Sequence, residues 1–195
     1  MSARITAIVL AAGKSSRMGA DNKLLLTFND KTMVSHVIDQ LMASNLNDII
    51  VVTGHEYEMV TAGISQPVKF THNADYGMGL SSSIKAGMAA LHKDCDGVMI
   101  CLGDMPYISA DNYNRLIAEF KTGKIIAPTR HGKIGNPIIF SKEFFPEFDT
   151  LQGDKGARKL LQKYQDDVIA VDLKTDAILH DIDTPDSYNR IMEQF

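Results

Sequence analysis

The chain has 195 residues, 45% hydrophobic and 23% charged, a globular balance that excludes an intrinsically disordered chain. Its formal net charge of −4 gives no general pull toward nucleic acid or an anionic membrane, so a phosphate-rich ligand would need a local basic cluster. No apolar run approaches the ~18 residues of a membrane span, and two cysteines, Cys95 and Cys101, are too few for a disulfide framework and read as free, buried thiols of a reducing cytosol.

Ile5 to Leu10 predicts the first strand, and the short apolar run there leads into a glycine turn rather than a signal cleavage site. Val34, Val37, Ile38 and Leu41 follow at i, i+3, i+4 and i+7, one face of a helix. Strands are predicted at Ile49 to Thr53 and Val68 to Thr71. The stretch "NADYGMGLSSSIKAG" then begins a helix, with Ser81 or Ser82 as its cap. Val98 to Leu102 reads as a strand. Tyr113, Leu116, Ile117 and Phe120 repeat the helical spacing behind Ser109, a suitable cap. Short runs recur at Ile125 to Ala127, Ile138 to Phe140 and Val168 to Val171. The region from 129 to 180 is less regular and reads as an inserted hairpin and an antiparallel edge, with a helix at Arg158 to Tyr164. Thr184 and Pro185 open a last helix as N-cap and first residue, with Tyr188, Ile191, Met192 and Phe195 on its apolar face. Strands alternating with helices predict a three-layer, Rossmann-like α/β fold, a mostly parallel sheet with helices on both faces. No repeat or linker interrupts the chain, so one domain over 1–195 is expected.

Ligands of open parallel sheets bind beyond the carboxyl ends of the strands. Two polar, glycine-containing segments fall at such ends. The first is "LAAGKSSRMGADNK", where small residues let backbone N–H groups approach an anion, and Lys14, Arg17 and Lys23 supply charge. Its spacing matches neither the Walker A loop nor G-x-G-x-x-G, which disfavours P-loop ATPases and dinucleotide oxidoreductases. On chemistry alone it also reads as a strand–helix turn with solvated basic residues. The second is "LGDMP", where Asp104 is either a turn cap or an oxygen ligand for Mg²⁺. A third segment, "DIDTPDS", places Asp181 and Asp183 on one face if extended, or simply starts the last helix. The six histidines show no zinc spacing with one another or with the cysteines, and His131, in a loop, is the one singled out.

The segment "LAAGKSSRMGADNK", followed at a distance by "GDMP", resembles the signatures of the MobA-like NTP transferases, on the cytidylyl-transferring side of that family. The resemblance covers nearly the whole chain. It implies that Leu10, Ala11, Ala12 and Gly13 hold the nucleotide through the loop backbone, and that Arg17 and Lys23 hold the triphosphate. It implies Asn73 near the nucleotide, Gly77 and Ser83 near the base, and Asp104 with Asp183 as ligands of Mg²⁺. Residues 1–105 become a nucleotide-binding half and 106–195 an acceptor-side half, with Asn136, Gly153 and Asp154 toward the acceptor. Relatives often carry His where Asn136 stands, which leaves the acceptor open.

The function so implied is transfer of CMP from CTP to a terminal phosphate of molybdopterin, with pyrophosphate leaving. A phosphate nucleophile is already ionised, so no dedicated base is required, and Arg17, Lys23 and Asp104 would carry catalysis by alignment and charge neutralisation. Rival readings are GTP as donor, a sugar- or polyol-phosphate acceptor, and a cofactor-binding accessory protein without turnover. The expected partners are small molecules, with neither nucleic acid nor membrane, and transient contact with a molybdoenzyme or its chaperone is compatible with the family. A monomer or weak oligomer in the cytoplasm is the expectation.

Overall fold

The computed structural model describes residues 3–15, 22–184 and 186–188. Strands are β1 (Ile5–Ala11), β2 (Thr27–Phe28), β3 (Lys31–Thr32), β4 (Asp48–Thr53), β5 (Lys69–His72), β6 (Gly97–Leu102), β7 (Ile125–Arg130), β8 (Lys133–Ile134), β9 (Ile138–Ser141) and β10 (Val168–Asp172). Helices are α1 (Met33–Met42), α2 (Tyr57–Ala62), α3 (Leu80–Ala89), α4 (Ala110–Ala118) and α5 (Arg158–Lys163).

The main sheet runs β10-β7-β9-β6-β1-β4-β5, and its pairs from β6 through β5 are parallel. β1 is the middle strand of that parallel block, with β4 on one side and β6 on the other. Chain order reverses there, which opens a crevice at the carboxyl ends of β1 and β6. All seven residues of β1 are buried, so its sequence is apolar without alternation. The pleat still sorts the side chains. Ala7, Val9 and Ala11 join a core with Val34, Val37, Ile38 and Leu41 of α1, Val60 of α2 and Tyr113 and Leu116 of α4. Ile8 and Leu10 join a second core with Ile84 of α3 and Leu160 and Leu161 of α5. Each large apolar side chain so buried contributes about 1.5–3 kcal/mol.

The predicted fold class holds, including its antiparallel component. β8 forms a hairpin with β7 through a turn at His131 and Gly132, both with positive φ, as a two-residue hairpin turn requires. β9 then lies antiparallel between β6 and β7, inside the sheet. Between them the register slips: Thr129 faces Ile134 but Ile126 faces Ile139, three residues along β7 against five opposite. Gly135, Asn136 and Pro137 occupy this bulge.

Local signals were of unequal value. Ser109 caps α4 through Asn112, as expected, in a reciprocal capping box. Thr184 accepts from the Ser187 N–H, the bond expected of an N-cap; Pro185 and residues 189–195 lie outside the described residues. The cap expected at Ser81 or Ser82 is corrected. α3 starts one residue after Gly79, whose φ of +98° suits only glycine, and no side chain of its own segment caps it. The cap comes from Asp154, whose Oδ1 accepts from the Leu80 N–H at 3.2 Å. α2, only six residues long, had no periodic signal to announce it. Both cysteines are free and buried. Among the described residues no helix is long and apolar enough to cross a membrane.

Candidate active site

The crevice beside β1 is a cleft of about 530 Å³. One wall is the end of β1 and the loop after it, Leu10 and Ala12 to Ser15. A second wall is the segment before and within α3, from Tyr76 through Ser83. The floor comes from Leu102 and Asp104 at the end of β6, and Lys23, Asp154 and Asp183 close the remaining sides.

The loop after β1 is anchored twice where it leaves the strand. The Gly103 N–H donates to the Leu10 carbonyl and the His55 N–H to the Ala12 carbonyl, at 3.2 Å each. Gly54 is required here: a Cβ on it would stand 2.8 Å from the Ala12 Cβ and 2.7 Å from the Tyr76 Cβ. Beyond the loop, Asn22 caps a short 3-10 turn, Lys23–Leu25, by accepting from the Leu24 N–H. The Lys23 N–H donates to Ser15 Oγ at 3.2 Å, and Asn22 Nδ2 donates to Glu56 at 3.0 Å. These bonds aim the Lys23 stem into the cleft.

There the Lys23 ammonium donates to both Asp104 Oδ2 and Asp183 Oδ1. The three side chains are 15%, 13% and 22% exposed, so the charges are largely removed from water and compensate one another. Burial alone would lower the Lys23 pKa, but the Asp104 and Asp183 carboxylates outweigh it and raise it, so the group is ammonium. Asp183 reaches this place because the Ile182 N–H donates to the Asp104 carbonyl at 3.0 Å, while the Ile182 side chain is buried with Phe28 and Met33. Asp181 and Asp183 flank that anchor. Asp104, Asp181 and Asp183 each offer a carboxylate oxygen, all within 4.8 Å of one another. Burial, then repulsion from Asp183 and Asp104, raises the Asp181 pKa. Asp104 Oδ1 is buried with no hydrogen-bond partner among the described residues. An all-oxygen set with one carboxylate oxygen left open suits a hard divalent cation.

The α3 side of the cleft offers the small, uncharged Gly77 and Ser83, with Lys14 and Asp154 beside them. Gly77 leaves open space around its Cα, and Ser83 is 4% exposed. Lys14 is exposed and lines the cleft, with its ammonium 5.8 Å from the centre of the Tyr76 ring.

Of the residues singled out in the sequence, Leu10, Ala12, Gly13, Lys23, Gly77, Ser83, Asp104, Asp154 and Asp183 meet at this cleft. Four do not line it. Ala11 turns its side chain into the α1 and α4 core, because alternate residues of a strand face opposite sides. Asn73 is buried behind α3. Gly153 sits behind Gly79, where a Cβ on Gly79 would come 2.7 Å from its carbonyl carbon. Asn136 lies in the β8–β9 bulge, its N–H donating to the Ile178 carbonyl at 2.9 Å. Arg17 lies outside the described residues. Sequence reasoning missed Tyr76, Gly79 and Leu80 as wall residues, although all three fall within a segment it marked. His131 is explained by its turn and by Asp176, 3.3 Å from its Nε2.

A mostly parallel sheet with a crevice at its switch point, lined by an ammonium, metal-compatible carboxylates and a glycine-containing loop, is the frame of a nucleotide-transferring α/β protein. Residues 7–168 match the MobA-like NTP transferase domain, and the chain belongs to that family. It is 33% identical to the purine catabolism protein PucB of Bacillus subtilis over 94% of each chain. It is 30% identical to the molybdenum cofactor cytidylyltransferase of Escherichia coli over 98% of this chain and 97% of that one. Nicotine blue oxidoreductase of Paenarthrobacter nicotinovorans is 26% identical over 96% of each. Among solved structures, the Rv0371c homologue of Mycobacterium sp. strain JC1 superposes with a TM-score of 0.90, at 29% identity over 100% of this chain and 98% of that one. Rv0371c of Mycobacterium tuberculosis in complex with manganese gives 0.81 at 28% identity, over 98% and 100%.

Proposed function

We propose that the protein is a Mg²⁺-dependent nucleotidyltransferase of the cytoplasm that transfers CMP from CTP to the terminal phosphate of molybdopterin or the molybdenum cofactor. The observation that carries this reading is the placement of Lys23 between Asp104 and Asp183 on the wall of the cleft. Lys23 and carboxylates that hold a divalent cation suit a metal-bound triphosphate, and the small, uncharged Gly77 and Ser83 suit a base. Two buried free thiols suit a reducing compartment.

Asp104, Asp181 and Asp183 would hold the divalent cation, and the open Asp104 Oδ1 supports that assignment. The manganese complex of a relative over nearly the same length supports it further. When bound, such a cation supplies charge neutralisation at phosphate oxygens and a template for orienting them. In the transfer, an acceptor phosphate oxygen forms a bond to the α-phosphorus. The bond from that phosphorus to the bridging oxygen breaks, and pyrophosphate leaves with the electron pair. The chain's part is to hold donor and acceptor in line and stabilise charge on the departing oxygens. Lys23 does the latter: its ammonium exchanges one carboxylate partner for the phosphates. Arg17, four residues past Gly13, supplies a second cation to the same oxygens. Residues 12–15 line the cleft, and their N–H groups would face the nucleotide, with Asp154 beside the α3 wall toward the acceptor.

The donor base and the acceptor come from relatedness to the cytidylyltransferase, which shares no more identity than PucB does. Binding of each of the four nucleoside triphosphates with Mg²⁺, followed by pyrophosphate release in the presence of molybdopterin, tests the reading. CTP-specific release is the expected result. Release that prefers GTP would replace the donor, and release with a polyol phosphate alone would replace the acceptor. An Asp104→Ala protein with undiminished release would remove the metal role.

A further inference from the structure

Asn73 is 6% exposed and sits behind the α3 wall of the cleft. Its Oδ1 accepts from the backbone N–H of Asp75 at 3.0 Å. A backbone amide only donates, so this contact fixes the amide orientation and turns Nδ2 toward α3. Both Nδ2 hydrogens are used there, on Ser82 Oγ at 2.9 Å and on Ser83 Oγ at 3.0 Å. Each serine hydroxyl has a single hydrogen to give. That of Ser82 stays within the protein, with the Gly79 carbonyl at 2.8 Å and the Asp75 carbonyl at 3.0 Å. Ser83 has no protein acceptor for its hydrogen among the described residues, and it lines the cleft.

We propose that Asn73 is a positioning residue that occupies one lone pair of the Ser83 hydroxyl and leaves its hydrogen to the cleft, so that a base presenting an acceptor there is favoured. The inference rests on the nucleotidyltransferase reading and adds the polarity of its base site. Cytosine offers O2 and N3 as acceptors, and either satisfies Ser83. An amino group in the same place could meet only the second Ser83 lone pair and would leave the hydroxyl hydrogen without a partner.

Equilibrium binding of CTP, with inorganic tripolyphosphate as the control that lacks a base, tests this. Asn73→Asp keeps the side-chain size and the Asp75 contact but puts an oxygen where Nδ2 stood. The Ser83 hydrogen then turns inward, and only lone pairs face the cleft. CTP affinity should fall about tenfold or more, with tripolyphosphate affinity changed less than about twofold. Ser83→Ala should lose CTP affinity to a similar extent, and adding N73D to it should cost little more, since the two changes remove one interaction. Should N73D fail to fold, Asn73→Ala takes its place, with a loss of about threefold to tenfold because the hydroxyl is freed rather than reversed. CTP affinity unchanged in the folded Asn73 variant or in S83A would overturn the inference. So would a parallel loss of tripolyphosphate binding, which would mean a collapsed wall. Wild-type protein that binds no nucleoside triphosphate at all would overturn the nucleotidyltransferase reading as well.

Discussion

The charged end of the cleft and its α3 wall are built in opposite ways. At the charged end, Lys23 meets Asp104 and Asp183, partners 81 and 160 residues away in sequence. At the α3 wall, Asn73 and Ser82 satisfy their side-chain hydrogen bonds within a single short stretch, with the backbone of Asp75 and Gly79 and the Ser83 oxygen as partners. The difference follows from desolvation. A mostly buried charge is tolerable only when opposite charge reaches it, and three such groups rarely fit on one short segment. Neutral hydrogen bonds can be closed locally by a turn and a helix start. The charged end therefore depends on the whole fold being assembled, and the α3 wall on a few backbone angles and one distant cap from Asp154.

Substitutions at the charged end should have the largest effects. Asp104→Asn should cut pyrophosphate release about 10³-fold while leaving the fold intact by circular dichroism, because it removes the open carboxylate oxygen that would face the cation. Lys23→Met should lower turnover about 10²- to 10³-fold. It should also destabilise the metal-free protein by about 2–3 kcal/mol in urea unfolding, below the ~3–5 kcal/mol of a fully buried pair since these groups retain some solvent access. Added Mg²⁺ should restore most of that stability, because it replaces the missing positive charge between the carboxylates. No recovery with Mg²⁺ would remove the equivalence of ammonium and metal at this end.

Changes at the α3 wall should be smaller and mainly structural. Gly79→Ala places a Cβ 2.6 Å from Asp154 Oδ1 at a φ of +98°, so it should cost about 1–3 kcal/mol by thermal unfolding and weaken nucleotide binding in parallel. Asp154→Ala removes the only side-chain cap of α3 among the described residues. A loss of about 0.5–1 kcal/mol is expected, with CTP affinity nearly retained. A large turnover defect in D154A at unchanged CTP affinity would instead give Asp154 a part in holding the acceptor.

Much of this was legible in the chain because buried parallel strands need unbroken apolar runs. Ile5–Ala11, Asp48–Thr53 and Gly97–Leu102 stand close to where those runs fall. The Gly13 loop and Asp104 were legible for a related reason: polar, glycine-containing segments at the carboxyl ends of such strands have few other uses. Side-chain direction was not. Ala11 sits inside the signature that marked the loop, yet the pleat turns it away from the ligand space. Asn73 carried a marker for nucleotide contact, and its side chain is buried and bonded to Asp75, Ser82 and Ser83, since nothing in sequence says which polar groups satisfy each other first. The cap of α3 came from Asp154, 74 residues from Leu80, which no local capping rule could supply.

The sequence by itself determined the strand runs, the family and most of the residue types that line the cleft, because hydrophobic periodicity and short motifs are local properties. Only the tertiary structure decided that Lys23, Asp104, Asp181 and Asp183 form one cluster, with one carboxylate oxygen left open. It also decided that β9 runs antiparallel inside the sheet and that Ser83 has a hydrogen to give. Each of these is a matter of which groups exhaust one another's charge or hydrogen bonds, and that is settled only when distant segments are brought together.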